Sequence, residues 1–147
     1  MISDNLIDIQ HRVDSALLEV GRKPESCTLI GVSKTKPVSQ IKEAYRSGLR
    51  DFGENYVEEF FSKHYDYHPD DLHYHFIGRL PTKKVRKVVG KSSLIHSISS
   101  LKLAKKVDFV SKDGGIPNSS AASFVFPLPN IASNNVSVNL FSSKSFK

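Results

Sequence analysis

Thr28-Leu29-Ile30-Gly31-Val32-Ser33-Lys34-Thr35-Lys36-Pro37 is the stretch that decides the fold class. Its apolar beginning is too short for a helix and too rich in β-branched residues to prefer one. Such a run reads as a strand buried on both faces, the kind found in parallel sheets. Pro37 then opens a helical pattern, at a position where its fixed φ suits a helix start. Two lysines, Lys34 and Lys36, therefore sit at the carboxyl end of a buried strand, the edge where α/β folds bind ligands. Two readings are open there. Both lysines reach solvent from a loop, or one of them, with its stem in apolar surroundings, loses its proton and can attack an aldehyde as a neutral amine.

On the amino side of this strand, Leu6, Ile9, Val13, Ala16, Leu17 and Val20 recur at helical spacing. Ser3 or Asp4 is expected to cap this helix, and Gly21 to end it. On the carboxyl side, Ile41, Ala44 and Tyr45 mark a second helix stopped by Gly48. A short strand follows, ending near Asp51-Phe52-Gly53, with Glu54-Asn55-Tyr56 at its exit. Val57, Phe60 and Phe61 suggest a third helix, and the polar segment from Lys63 to Leu72 reads as a loop. His73 to Gly78 alternates like a strand, Pro81 to Val89 reads as a short basic helix, and Leu94 to Ile98 as a fourth strand. A helix over Leu101 to Val107 follows, capped by Ser99 or Ser100. Repeated βα units with short connections imply a parallel sheet with right-handed crossovers, either open or closed into a barrel.

A chain of 147 residues allows one ordinary domain. The formal charge of +6 suits phosphate-bearing ligands, nucleic acid or anionic lipid and selects none of them. A single cysteine, Cys27, excludes an internal disulfide framework and fits a reducing compartment. No stretch approaches the roughly 20 apolar residues of a membrane span, and Met1 does not open a signal-peptide pattern. A cytoplasmic protein with no membrane partner is the expectation.

Four motifs in order then carry a resemblance: Val32-Ser33-Lys34-Thr35-Lys36-Pro37, Phe52-Gly53-Glu54-Asn55-Tyr56-Val57-Glu58-Glu59, His75-Phe76-Ile77-Gly78 followed by Lys84, and Ile95-His96-Ser97-Ile98. Together they resemble the pyridoxal phosphate homeostasis protein family, over roughly Leu6 to Asp108. The resemblance implies a (β/α)8 barrel of the TIM-barrel type, like the barrel domain of alanine racemase, of which about the first four βα units are present after an amino-terminal helix. It implies pyridoxal 5'-phosphate (PLP) as cofactor, held as a Schiff base on Lys34, and a role in cofactor homeostasis with no turnover reaction assigned. Lys36 is then expected to depress the pKa of Lys34 or to attract the phosphate. Lys34, nearer the buried strand, is expected to be the more desolvated of the two, and Lys36 the wetter. Asn55 is placed either to hydrogen-bond a ring substituent or to shape a turn. His75 either lines the barrel mouth or packs inside, and packing is the favoured reading. The alternative function is a PLP-dependent enzyme of racemase type, which needs a second acid/base residue facing the cofactor.

Two departures from the family pattern stand out. The loop Gly78-Arg79-Leu80-Pro81-Thr82-Lys83-Lys84 is more basic than is usual, and Ser99 replaces a common Asp. Residues 109–147 do not follow the family, and after Asp113 they contain no acidic residue and much Ser, Asn and Pro. The domain expectation is a barrel part over 1–108 and an irregular or disordered tail over 109–147, in which Phe124-Val125-Phe126 and Val136-Ser137-Val138 are the candidate strands. Half a barrel is expected to leave two open sheet edges. The basic run Lys83, Lys84, Arg86, Lys87 and Lys91 reads as a solvated helix face rather than a nucleic-acid site. His64, His68, His73 and His75 lack the ligand spacing of a metal centre, and no metal is expected.

Overall fold

The computed structural model describes residues 1–114 together with 123–124 and 135–138. Helix α1 (Ile2–Glu19) leads through one 3-10 turn (Pro24–Ser26) into strand β1 (Thr28–Val32). Helix α2 (Val38–Arg46), strand β2 (Asp51–Glu54), helix α3 (Val57–Asp66) and strand β3 (His73–Phe76) follow. A 3-10 segment (Thr82–Lys87) then leads to strand β4 (Leu94–Ile95) and helix α4 (Leu101–Asp113). Two short strands, β5 (Ser123–Phe124) and β6 (Asn135–Val138), complete a six-stranded sheet of order β5-β4-β3-β2-β1-β6. All five pairings are parallel. The four strands expected from the sequence are present in a parallel sheet of an α/β fold, three of them followed by an α-helix and the other, β3, by the 3-10 segment.

Local chemistry sets most of the boundaries. Gly21 and Gly48 adopt φ of +71° and +102°, and each ends the helix before it. Ser100 caps α4 by accepting a hydrogen bond from the Leu103 N–H at 3.2 Å. Helix α1 begins earlier than expected, at Ile2, and neither Ser3 nor Asp4 caps it, because both lie inside its first turn. The basic segment after β3 is a tight 3-10 turn rather than an α-helix, and β4 is only two residues long.

Two boundaries move further. Helix α3 runs to Asp66, so Lys63 is a helical residue and not the start of a loop. Helix α4 runs to Asp113, across the compositional change near residue 108. The sheet keeps two edges, as expected, but they lie one strand further out: β6 runs beside β1, with Leu29 opposite Val136, and β5 beside β4, with Ile95 opposite Phe124. The rest of the tail expected to be irregular, including Val125 and Phe126, lies outside the described residues. No helix among the described residues is long and apolar enough to cross a membrane.

Strand alternation divides the sheet into two chemically different faces. Leu29, Phe52, Tyr74, Phe76 and Ile95 pack into one core with Leu6, Ile41, Ala44, Phe60, Val85, Val88, Leu103 and Val107. That face is therefore covered by the helices and the 3-10 segment. The intervening residues Ile30, Asp51, Gly53, His73 and His75 stand on the opposite face, where register sets Ile30 beside Asp51 and Gly53 beside His75. Phe60 of α3 is the hinge-pin of the helical face. It is fully buried and meets the rings of Tyr74 and Phe76 edge-on, each at 5.9 Å between centroids. Phe60→Ala is expected to cost about 3–5 kcal/mol through lost burial and the cavity left behind. A urea titration measures this as a lowered midpoint with an unchanged slope; a midpoint within error of wild type would contradict the packing described.

Candidate functional site

Strand β1 ends at Val32, and the chain turns at once. The Lys36 N–H donates to the Ser33 carbonyl at 3.0 Å, closing a four-residue turn with Lys34 and Thr35 at its corners. Thr35 takes a φ of +64°, the single non-glycine residue with positive φ among those described. A β-branched residue in this region is strained by about 1–3 kcal/mol, and such strain persists only when the surroundings hold it.

Beneath the turn lies a buried ionic cluster that supplies the holding. Lys63 of α3 is 5 % exposed and Glu54, at the end of β2, is fully buried. The Lys63 ammonium has three N–H groups and finds three acceptors: the Ser33 carbonyl at 2.7 Å, Glu54 Oε1 at 2.8 Å and Glu59 Oε1 at 2.7 Å. The Ser33 hydroxyl donates to the same Glu54 oxygen at 2.6 Å. Glu59 Oε1 also accepts the Thr35 N–H, at 2.5 Å. Burial pushes the Glu54 carboxyl above the usual range, and the hydrogen bonds from Lys63 and Ser33 oppose it. Two carboxylates thus share one ammonium, and all three side chains converge on the turn that carries Lys34.

The four residues singled out from the sequence do not form one cluster. Lys34 is exposed and Lys36 is half-buried, which reverses the expected order of desolvation. The reason is the turn: the strand stops before Lys34, so the residue nearer the strand sits at a corner facing solvent, and the later one folds back. Asn55 is half-buried at the exit of β2, and its backbone lies hard against Gly78. A Cβ built on Gly78 would stand 1.9 Å from the Asn55 carbonyl oxygen, so this close approach of two strand exits requires glycine.

His75 lies lower on the opposite face of the sheet, and both ring nitrogens are engaged. Nε2 is 2.8 Å from Asp51 Oδ1, and Nδ1 is 3.0 Å from His96 Nε2. A carboxylate only accepts, so His75 donates through Nε2. In the neutral ring Nδ1 then accepts from His96, and His75 has no nitrogen left for a ligand. Its packed reading is the one the geometry matches. Burial, with a smaller push from His75, lowers the His96 pKa to about 4. His64 of α3 is pushed down to about 4 as well, by burial first and then by His68 and Lys91. Among the described residues no group of three or more His, Cys, Asp or Glu side chains converges as a metal site.

Three residues of the basic run are tied to acidic neighbours. Lys84 and Lys87 reach Glu58 at 3.0 and 2.5 Å, and Arg86 reaches Asp113 at 2.8 Å. A cavity of about 590 Å³ lies at the other end of the sheet, against Thr28, Leu49, Arg50 and Asp51, where β1 and β2 begin. It is remote from the lysines and contributes nothing to their chemistry. The residues that sequence reading missed are Lys63, Glu59 and Glu54. The four-residue spacing of Glu59 and Lys63, a helical ion-pair signature, is the signal that points to them once the helix is extended.

Relatives of known identity fit this arrangement. The pyridoxal phosphate homeostasis protein of Pseudomonas aeruginosa is 35 % identical over 116 residues, which cover 79 % of this chain and 50 % of that protein. The protein of the same name from Escherichia coli K12 is 40 % identical over 110 residues, covering 73 % of this chain and 47 % of its own. Over about three quarters of its length the chain is similar to these pyridoxal phosphate homeostasis proteins. It spans about half the length of the curated relatives it matches. Among solved structures, PipY of Synechococcus elongatus with PLP bound matches with a TM-score of 0.66 at 35 % identity, covering 78 % of this chain and 50 % of PipY. An unknown protein from Bifidobacterium adolescentis matches with a TM-score of 0.72 at 26 % identity, over 78 % of this chain and 51 % of its own. No family model matches the chain.

The two depressed histidines set a pH dependence. An unfolded imidazole titrates near 6.5, whereas His64 and His96 in the fold titrate near 4. Between these values the unfolded chain binds more protons, so stability rises with pH across the window. The contribution of both rings is complete above about pH 6.5 and is lost as the pH falls toward 4. Ring-proton NMR is expected to show both histidines neutral at about pH 5.5, while the urea midpoint declines over the same interval. Titration of either ring near its ordinary value would contradict its burial.

Proposed function

We propose that this chain binds PLP at the carboxyl ends of β1 and β2, with Lys34 as the attachment residue, and serves cofactor homeostasis rather than turnover. The observation that carries this reading is the likeness to PipY, a protein solved with PLP bound. The described residues fit the attachment end of the cofactor. Lys34 projects from a pinned turn into solvent, where an amine is reachable, and Asn55 stands at the neighbouring strand exit. The exits of β2 and β3 approach this closely only because position 78 has no Cβ. When bound, PLP supplies an aldehyde that a lysine amine attacks with loss of water.

Each side chain has its own part. Lys34 supplies the amine. Lys36, half-buried beside it, supplies positive charge for an anionic group. Asn55 is a hydrogen-bonding partner for a ring substituent, and His75 keeps the opposite face of the sheet in register through Asp51 and His96. Barrels of this type commonly hold phosphate in loops after strands seven and eight. No such anchor is identified among the described residues, so the affinity expected is modest.

The same proposal takes the four βα units as the opening part of a (β/α)8 barrel, with the family part ending near residue 108. It places the protein in the cytoplasm, on the strength of the lone Cys27. A racemase-type reaction draws no support from the curated relatives, whose names describe homeostasis.

The test is chemical. PLP is added, the product is reduced with borohydride, and the label is located by peptide mapping. The label is expected on Lys34 and absent from Lys34→Ala. Lys36→Ala is expected to keep the label on Lys34 while slowing its formation or shifting its pH dependence. A normal borohydride-stable adduct in Lys34→Ala, or label mainly on Lys36 or on Lys83, Lys84 and Lys87, would overturn the assignment.

A further inference from the structure

The buried cluster under the turn does more than join α3 to the sheet. It touches the backbone on both sides of Lys34. On one side, the Lys63 ammonium holds the Ser33 carbonyl, the same carbonyl that accepts the Lys36 N–H. On the other, Glu59 holds the N–H of Thr35, the residue in the left-handed region. One oxygen, Glu59 Oε1, serves both Thr35 and Lys63, so the two contacts are mechanically linked. Lys34 itself stays exposed. Its backbone is fixed by neighbours that leave its side chain free.

We propose that Glu59 and Lys63 are positioning residues for Lys34, acting through the Thr35 amide and the Ser33 carbonyl to hold the strained turn that presents the solvent-exposed Lys34 amine beside the strand ends. The inference rests on Lys34 being the attachment residue. Thr35 alone prefers negative φ, and in the absence of the Glu59 bond the turn is expected to relax. Relaxation swings the Cα–Cβ direction of Lys34 away from the neighbouring exits of β2 and β3. Glutamine at position 59 retains an acceptor for the Thr35 N–H and alanine does not. Glycine at position 35 reaches positive φ without strain. These three changes separate the hydrogen bond, the charge and the backbone conformation.

The experiment follows two readouts in the full chain. The first needs no cofactor: hydrogen exchange of the Thr35 amide by NMR, with the Phe52 and Gly53 amides of β2 as internal controls. The second is the rate at which added PLP gives borohydride-fixed label on Lys34. Glu59→Ala is expected to speed exchange at Thr35 while the β2 amides stay protected, and to slow labelling about tenfold, equivalent to about 1.4 kcal/mol. Glu59→Gln is expected to label at the wild-type rate. The double variant Glu59→Ala with Thr35→Gly is expected to regain most of the lost rate, a rescue that a role confined to overall stability would not produce. If Glu59→Ala does not fold, Glu59→Met, which fills similar space without an acceptor for the Thr35 N–H, takes its place, with the same slowing and the same rescue by Thr35→Gly expected. Labelling unchanged in folded Glu59→Ala overturns the positioning role, as does slow labelling without rescue. If the wild-type chain gives no label on Lys34, the cofactor reading is what fails, and Thr35 exchange still decides whether Glu59 holds the turn.

Discussion

A single buried ammonium ties together the three segments from which the strand-end site is built. Lys63 comes from α3, Glu54 from the end of β2 and Ser33 from the exit of β1, and the Nζ of Lys63 stands within 2.8 Å of an oxygen from each. An ammonium taken from water loses several kcal/mol of hydration, and only a full set of well-placed acceptors offsets that. The set is full here, because Glu59 supplies the third acceptor. The arrangement is stringent in return. Removing Lys63 leaves buried carboxylate charge uncompensated, at a cost of about 3–5 kcal/mol. Helix α3 therefore has one rotational setting relative to β1 and β2. That setting also brings Phe60 against Tyr74 and Phe76, so the polar and apolar contacts of α3 reinforce each other.

The same alternation that builds the core divides labour between the two faces of the sheet. Aromatic and aliphatic residues of β1 to β4 face the helices, where burial of apolar area is the main source of stability. Asp51, His73, His75 and His96 collect on or beside the opposite face and satisfy one another there. Because these groups are hydrogen-bonded to one another, that face can be polar without leaving the His75 ring or the Asp51 carboxylate unpartnered. At the carboxyl edge the division ends. Ser33 and Glu54 point toward the helices and carry polar chemistry into that side, directly below Lys34. The strained Thr35 is stable because this polar pocket supplies an acceptor for its N–H.

The amino-acid sequence by itself determined the order of helix and βα units, the parallel character of the sheet, the stop signals at Gly21 and Gly48, the Ser100 cap, and the place of Lys34 at a strand end. Those features follow from local periodicity and from conformations that single residues prefer, so they are present in the chain before it folds. The four motifs that carry the family resemblance are equally local. What the sequence left unread depends on which residues meet. Lys63 looks like a surface lysine in a polar segment, and becomes a buried ion only because α3 extends past it and lands on Glu54 and Ser33. The burial of Lys34 and Lys36 was misjudged because one turn, fixed from a helix 24 residues away in sequence at Thr35, decides which lysine faces water. The pairing of β5 and β6 with the sheet edges is likewise a matter of distant contact, since hydrogen bonds between strands leave no periodic trace in either one. Local conformational preference is written residue by residue, whereas desolvation and charge pairing exist only once separate segments share a place.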